Sequence, residues 1–226
     1  GPAESSESPP NPPPTFAPHI GGQWGPVFEW PHIPMAMANL PDGRILAFAS
    51  NERNAYPFSG DEFTHATVWD PRTGSIKSVP HPGHDLFCAA MVTLESGETF
   101  VMGGHNSGNS PWVSYYDFHD DRWVQLNADQ DLNRGRWYPT AVYMGSGKVF
   151  IAGGVGGGDY PELWTPGVGF TLLTGIDLSN TILSLGAGLD GAGSWPLLQL
   201  NPNGTIFHHG ATSTMKEPAF RTSSSP

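Results

Sequence analysis

Short apolar runs separated by turn residues recur along the chain. Four segments align: LPDGRILAFAS (40–50), LESGETFVMGG (94–104), MGSGKVFIAGG (144–154) and LNPNGTIFHHG (200–210). Each places a glycine, Gly43, Gly97, Gly147 or Gly204, between two apolar stretches. A positive φ costs glycine little, so each segment predicts a β-hairpin. In the second and third copies the second strand ends in a pair, Gly103-Gly104 and Gly153-Gly154, which predicts close approach of two backbones. No stretch carries the i, i+3, i+4 apolar spacing of a convincing amphipathic helix.

The turn glycines lie 54, 50 and 57 residues apart. That interval is too long for a hairpin repeat and fits a four-stranded propeller blade of the kelch type. The outer strands follow each hairpin, in HATVWDPRTGSIKSVP (65–80), WVSYYDFHDDRWVQLN (112–127) and PELWTPGVGFTLLT (161–174), and Trp123 takes the place of a blade-packing tryptophan. The predicted fold is all-β, a partial β-propeller of about three complete blades and part of a fourth. Blades occupy 19–215, between Pro/Ser-rich tails predicted to be disordered at 1–18 and 216–226. A fragmentary ring leaves strand edges unpaired, so either further chain or a second chain is expected to complete it.

Composition agrees. The 226 residues include 29 Gly, 23 Pro, 8 Trp and 12 Phe, an all-β balance of turn formers and bulky anchors. A formal net charge of −11 with only 10 Lys and Arg argues against nucleic acid and anionic membranes as partners. No run of about 18 apolar residues is present to cross a bilayer, and no basic-then-apolar leader opens the chain.

Most candidate motifs carry little chemistry. GAGLDG (186–191) matches a dinucleotide pattern, but Pro196 and a strand follow where a helix is required. His81, His84 and Cys88 are metal-ligand types, yet alternation puts 81 on the opposite face from 84 and 88, so the two histidines are expected to be turn-exposed. His208 and His209, being adjacent, point to opposite faces. His105 sits at a strand exit, where a solvated histidine is the default. Asn203-Gly204-Thr205 is a glycosylation sequon that a hairpin turn explains equally well. Cys88 and Tyr138 remain. Each lies six residues before the turn of its blade, at Leu94 and Met144, and the first strands of a propeller line its axis, so the two are expected to meet there.

At this pair the chain resembles the copper radical oxidases, the galactose oxidase and glyoxal oxidase family. GHDLFCAAM resembles the family's His-Asp-x-Phe-Cys segment, GRWYPTAVYMGSGKVFIAGG its Arg-Trp-Tyr blade, and WPLLQLNPNGTIFHHGATSTM (195–215) the strand ending in Gly-x-Ser-Thr-x-Met. The resemblance runs from about Trp24 to Met215. It implies a secreted protein in which a thioether joins Cys88 to Tyr138 and Tyr138 binds copper and carries a radical, with Trp137 and Arg136 flanking and shielding that cofactor. An ortho sulfur substituent delocalises the unpaired electron. Family members oxidise a small alcohol, aldehyde or carbohydrate and pass two electrons to dioxygen, giving hydrogen peroxide. The family's axial tyrosine and two histidine ligands match no segment here, so the chain is expected to be inactive alone. Its stacking aromatic should follow the IAGG strand, where VGGGDY offers Val155 and glycines. The rival reading is a non-catalytic kelch-type binding or structural module, and a third is carbohydrate recognition through Trp112 and Tyr115.

Overall fold

The computed structural model describes residues 17–55, 62–105, 108–177, 195–209 and 221–222. Apart from residues 17, 18, 221 and 222, the tails predicted at 1–18 and 216–226 lie outside them, as does GAGLDG. The chain divides into two units, Gly1–Trp30 and Pro31–Pro226. In the first, a helical turn α1 (Pro18–Gly21) precedes an extended stretch in which Phe28 and Trp30 pack at 5.8 Å and Trp24 and Val27 stand exposed.

The second unit is built of antiparallel sheets. Blade one runs β1 (Ala36–Asn39), β2 (Ile45–Phe48) and, past a short β3 (Phe63–Thr64), β4 (Ala66–Trp69) and β5 (Ile76–Ser78). β3 pairs with β6 (His81–Pro82), which leads into blade two. Blade two is β7 (Ala90–Thr93), β8 (Thr99–Met102), β9 (Val113–Asp117) and β10 (Arg122–Gln125), in that spatial order. Blade three is β11 (Thr140–Tyr143), β12 (Val149–Ala152), β13 (Glu162–Thr165) and β14 (Gly169–Leu172). Blade four is begun by β15 (Leu197–Leu200), β16 (Ile206–His209) and β17 (Arg221–Thr222). The last of these lies within the stretch expected as a tail. The inner strands β7, β11 and β15 are consecutive neighbours. This is the predicted partial propeller.

All four hairpins are the same device. The carbonyl of Leu40, Leu94, Met144 or Asn201 accepts the N–H of the turn glycine at 3.0, 2.9, 2.9 and 2.9 Å, and φ at those glycines is 87°, 100°, 79° and 81°. A type I turn with glycine in the left-handed position closes a three-residue hairpin in this way. The sequon belongs to this set: the Asn203 carboxamide oxygen accepts the N–H and hydroxyl of Thr205.

The second strands β2, β8 and β12 are buried along nearly their whole length, since both faces are covered by neighbouring blades. Between blades one and two lie Phe48, Leu46, Val68, Leu86, Val101 and Tyr116. Trp123 closes that interface: its indole N–H donates to the Val79 carbonyl at 2.9 Å and its ring stacks on His81.

His81 and His84 depart from expectation, being buried rather than exposed at a turn. The Ser114 hydroxyl lies 2.8 Å from His81 Nε2 and 2.9 Å from His84 Nδ1, and His84 Nε2 donates to the Gly103 carbonyl at 2.8 Å. Burial lowers their pKa values to about 4 and about 3, so both are neutral structural groups.

Candidate functional site at the blade hub

The site forms where the chain enters successive inner strands. Cys88 lies two residues before β7, and Tyr138 two before β11. The Tyr138 N–H donates to the Cys88 carbonyl at 3.0 Å, which fixes the two residues side by side. Both hold left-handed backbone, with φ 60° and 62°, a conformation that is uncommon outside glycine. The side chains share one cluster as well: Cys88 packs against the buried group of Phe87, Trp137 and Tyr138.

Glycine makes this approach possible. A Cβ on Gly104 would collide with the Asp85 carbonyl, and one on Gly103 would stand 2.5 Å from the Arg136 carbonyl. The Gly103-Gly104 pair thus lies between segment 85–88 and segment 136–138, and the Gly104 N–H donates to the Arg136 carbonyl at 2.9 Å. The backbone approach predicted from the glycine pairs is found here.

Around the pair the surface is apolar and aromatic. Trp137 stacks on Tyr138 with ring centroids 4.3 Å apart and planes at 29°. Its indole N–H donates to the Phe87 carbonyl at 3.2 Å, and its backbone bridges to Val155. His105 is buried rather than solvated, with its ring 4.8 Å from that of Trp137 and its Nδ1 3.6 Å from Asp85. Arg136 is fully buried with its guanidinium turned into blade three, donating to the carbonyls of Gly153 and Tyr160 and to Glu162 Oε1. Glu162 also accepts the backbone and side-chain N–H groups of Asn133. Arg136 therefore meets the site through its backbone, and its charge holds the lead-in to Tyr138.

Burial sets the protonation states. The Cys88 thiol is pushed up to about 12, chiefly by desolvation and further by Asp85, against the pull of the Tyr138 hydrogen bond. Burial, then the neighbouring Cys88, raises Tyr138. Asp85 is pushed up to about 7 by burial, although its carboxylate accepts the Phe87 N–H. At neutral pH the site thus holds a protonated thiol and phenol. Among the described residues no group of three His, Cys, Asp or Glu side chains is arranged to hold a metal. The donors present fit a redox pair, a phenol and a thiol, and do not by themselves form a copper cage.

No protein-family profile matches the chain. Galactose oxidase of Gibberella zeae is 33% identical over 142 residues, covering 61% of this chain and 20% of that protein. A WSC domain-containing protein of Arthroderma benhamiae is 31% identical over 84 residues, 33% of this chain and 9% of that one. A solved structure described as a novel fungal alcohol oxidase with catalytic diversity among the AA5 family, in complex with copper, superposes with a TM-score of 0.69 at 26% identity. It covers 82% of this chain and 39% of the oxidase. The chain is similar in part of its sequence to galactose oxidase and in fold to a copper-bound alcohol oxidase. It spans about a fifth of the curated galactose oxidase.

One further residue joins the hub without being expected from the sequence. Trp195 stands two residues before β15, has φ 49°, and donates its N–H to the Tyr138 carbonyl at 2.7 Å. Its ring meets Tyr138 edge-on at 4.2 Å and 73°. The signal was present: Trp195 lies six residues before its turn at Asn201, the offset shared by Cys88 and Tyr138. Val155, where a stacking aromatic was sought, instead pairs with Trp137 through its backbone. Trp112 packs against His84 and Tyr115 into the core between blades two and three, so those two rings serve packing.

Proposed function

We propose that this chain contributes the cysteine and tyrosine of a copper radical oxidase centre in a secreted protein that oxidises an alcohol or aldehyde, sugars included, with dioxygen to give hydrogen peroxide. The observation that carries this reading is the juxtaposition itself, a thiol and a phenol in one cluster at the hub, with the Tyr138 N–H bonded to the Cys88 carbonyl.

Tyr138 would hold copper through its phenol oxygen, and Cys88 would be joined to the ring carbon beside that oxygen. Copper bound to the linked phenol would supply the two-electron acceptor. The residues in place do the rest. Trp137 stacks on the phenol ring and Trp195 meets it edge-on, so both shield it, while the buried Arg136–Glu162 pair anchors the segment that presents it. Additional copper ligands have to come from outside the described residues, because these offer one phenol oxygen and no three-ligand group.

The poverty of donors among the described residues favours a second reading, a kelch-type binding or structural module that keeps the scaffold without the chemistry. Peptide mapping after exposure to copper and air separates the two. The oxidase reading expects the Cys88 and Tyr138 peptides to run as one species lacking two hydrogens, and Cys88→Ser to abolish it. The module reading expects two ordinary peptides.

A further inference from the structure

Trp195 is the half-exposed member of the hub. Its side chain is 51% exposed, whereas Tyr138 is 8% and Trp137 9% exposed. Of the two rings packed on Tyr138, Trp137 is held from behind by the Phe87 carbonyl and the His105 ring, and Trp195 faces outward. Its position is built rather than incidental. A bulky residue at φ 49° sits in left-handed backbone that is unfavourable outside glycine. Such strain persists only where neighbouring contacts over-determine it. Here the short N–H to Tyr138 carbonyl bond and the edge-on ring contact do so.

We infer that Trp195 is the gate of the Tyr138 site: its indole separates the phenol from solvent, and a small molecule approaching the phenol from that side passes its edge. The consequence for catalysis rests on reading Tyr138 as the reactive group, but the gating itself does not. An apolar aromatic edge, with no charged group bonded to it among the described residues, suits the hydrocarbon part of a neutral alcohol or aldehyde better than an anionic substrate.

The test is hydroxyl-radical footprinting of the copper-free full chain, reading oxidation at Tyr138 against Tyr116, which is fully buried in the core between blades one and two. Trp195→Ala is expected to raise labelling of Tyr138 severalfold with Tyr116 unchanged, and Trp195→Phe to restore protection. Trp195→Leu, apolar but without a ring, carries the comparison should the alanine variant fail to fold. Labelling of Tyr138 that stays at the wild-type level, or rises only in step with Tyr116, overturns the inference. Peptide mapping of the copper-treated wild type separately reports the Cys88–Tyr138 link. Gating with no link would sink the oxidase reading and leave the gate standing, and a link with no gating would do the reverse.

Discussion

Cys88, Tyr138 and Trp195 occupy one structural position in three successive blades, and each holds left-handed backbone. At about 1–2 kcal/mol apiece, that strain has to be offset by the hydrogen-bonded ladder joining them and by the apolar packing of Phe87, Trp137 and Val155. Asp85, behind this layer, supplies a test of how dry the site is. Its carboxyl rises from an ordinary 3.8 to about 7, so between those values the folded chain keeps a proton that the unfolded chain has released. Stability from this residue therefore falls as pH rises from about 4 to about 7, then levels off. His81 and His84, lowered by burial, act with the opposite sign, penalising the folded state as pH falls below their ordinary 6.5. Asp85→Asn isolates the carboxyl. Across pH 4 to 7 the wild-type melting temperature is expected to drop relative to the variant, and parallel curves would show Asp85 to be ordinarily solvated.

At the scale of elements, glycine does two separable jobs. Gly43 closes a hairpin with open space where a Cβ would go, so Gly43→Ala meets only the left-handed penalty, about 1 kcal/mol. Gly104 faces the Asp85 carbonyl with no room for a Cβ, so Gly104→Ala is expected to cost about 3 kcal/mol or more by urea unfolding. Comparable losses in the two variants would contradict the close approach. Both jobs were legible in the sequence, because a turn and a backbone crossing each demand glycine at a fixed offset. So were the strands, whose apolar runs reflect burial on two faces, and the meeting of Cys88 with Tyr138. What was hidden depends on tertiary partners. His81 and His84 read as exposed because nothing local announces Ser114, which meets both rings from 33 and 30 residues along the chain. Arg136 read as a neighbour of the cofactor because its buried partner Glu162 lies 26 residues on. Trp195 is not apparent from the sequence because the expected aromatic belongs to blade three, while the hub draws one side chain from each of blades two, three and four.

For the whole molecule, three blades and the start of a fourth bring Cys88, Tyr138 and Trp195 to one hub. The solved alcohol oxidase, of which this chain covers 39%, carries copper, and no three-ligand group stands among the residues described here. If the described residues hold the whole ligand set, a copper-loaded sample of this chain is expected to give no peroxide from galactose or simple aldehydes in a coupled peroxidase assay. Turnover would mean that the remaining ligands lie outside the described residues of this same polypeptide. The sulfur and the phenol can be tested without turnover. Because the thiol is pushed up to about 12, Cys88 would resist alkylation in the folded state whether or not it is linked, so the alkylating reagent has to be added after denaturation. Peptide mapping of copper- and air-treated protein, alkylated in denaturant, is predicted to yield a single cross-linked species of the Cys88 and Tyr138 peptides, two hydrogens lighter than their sum. Separate peptides, with Cys88 fully alkylated, would contradict the account.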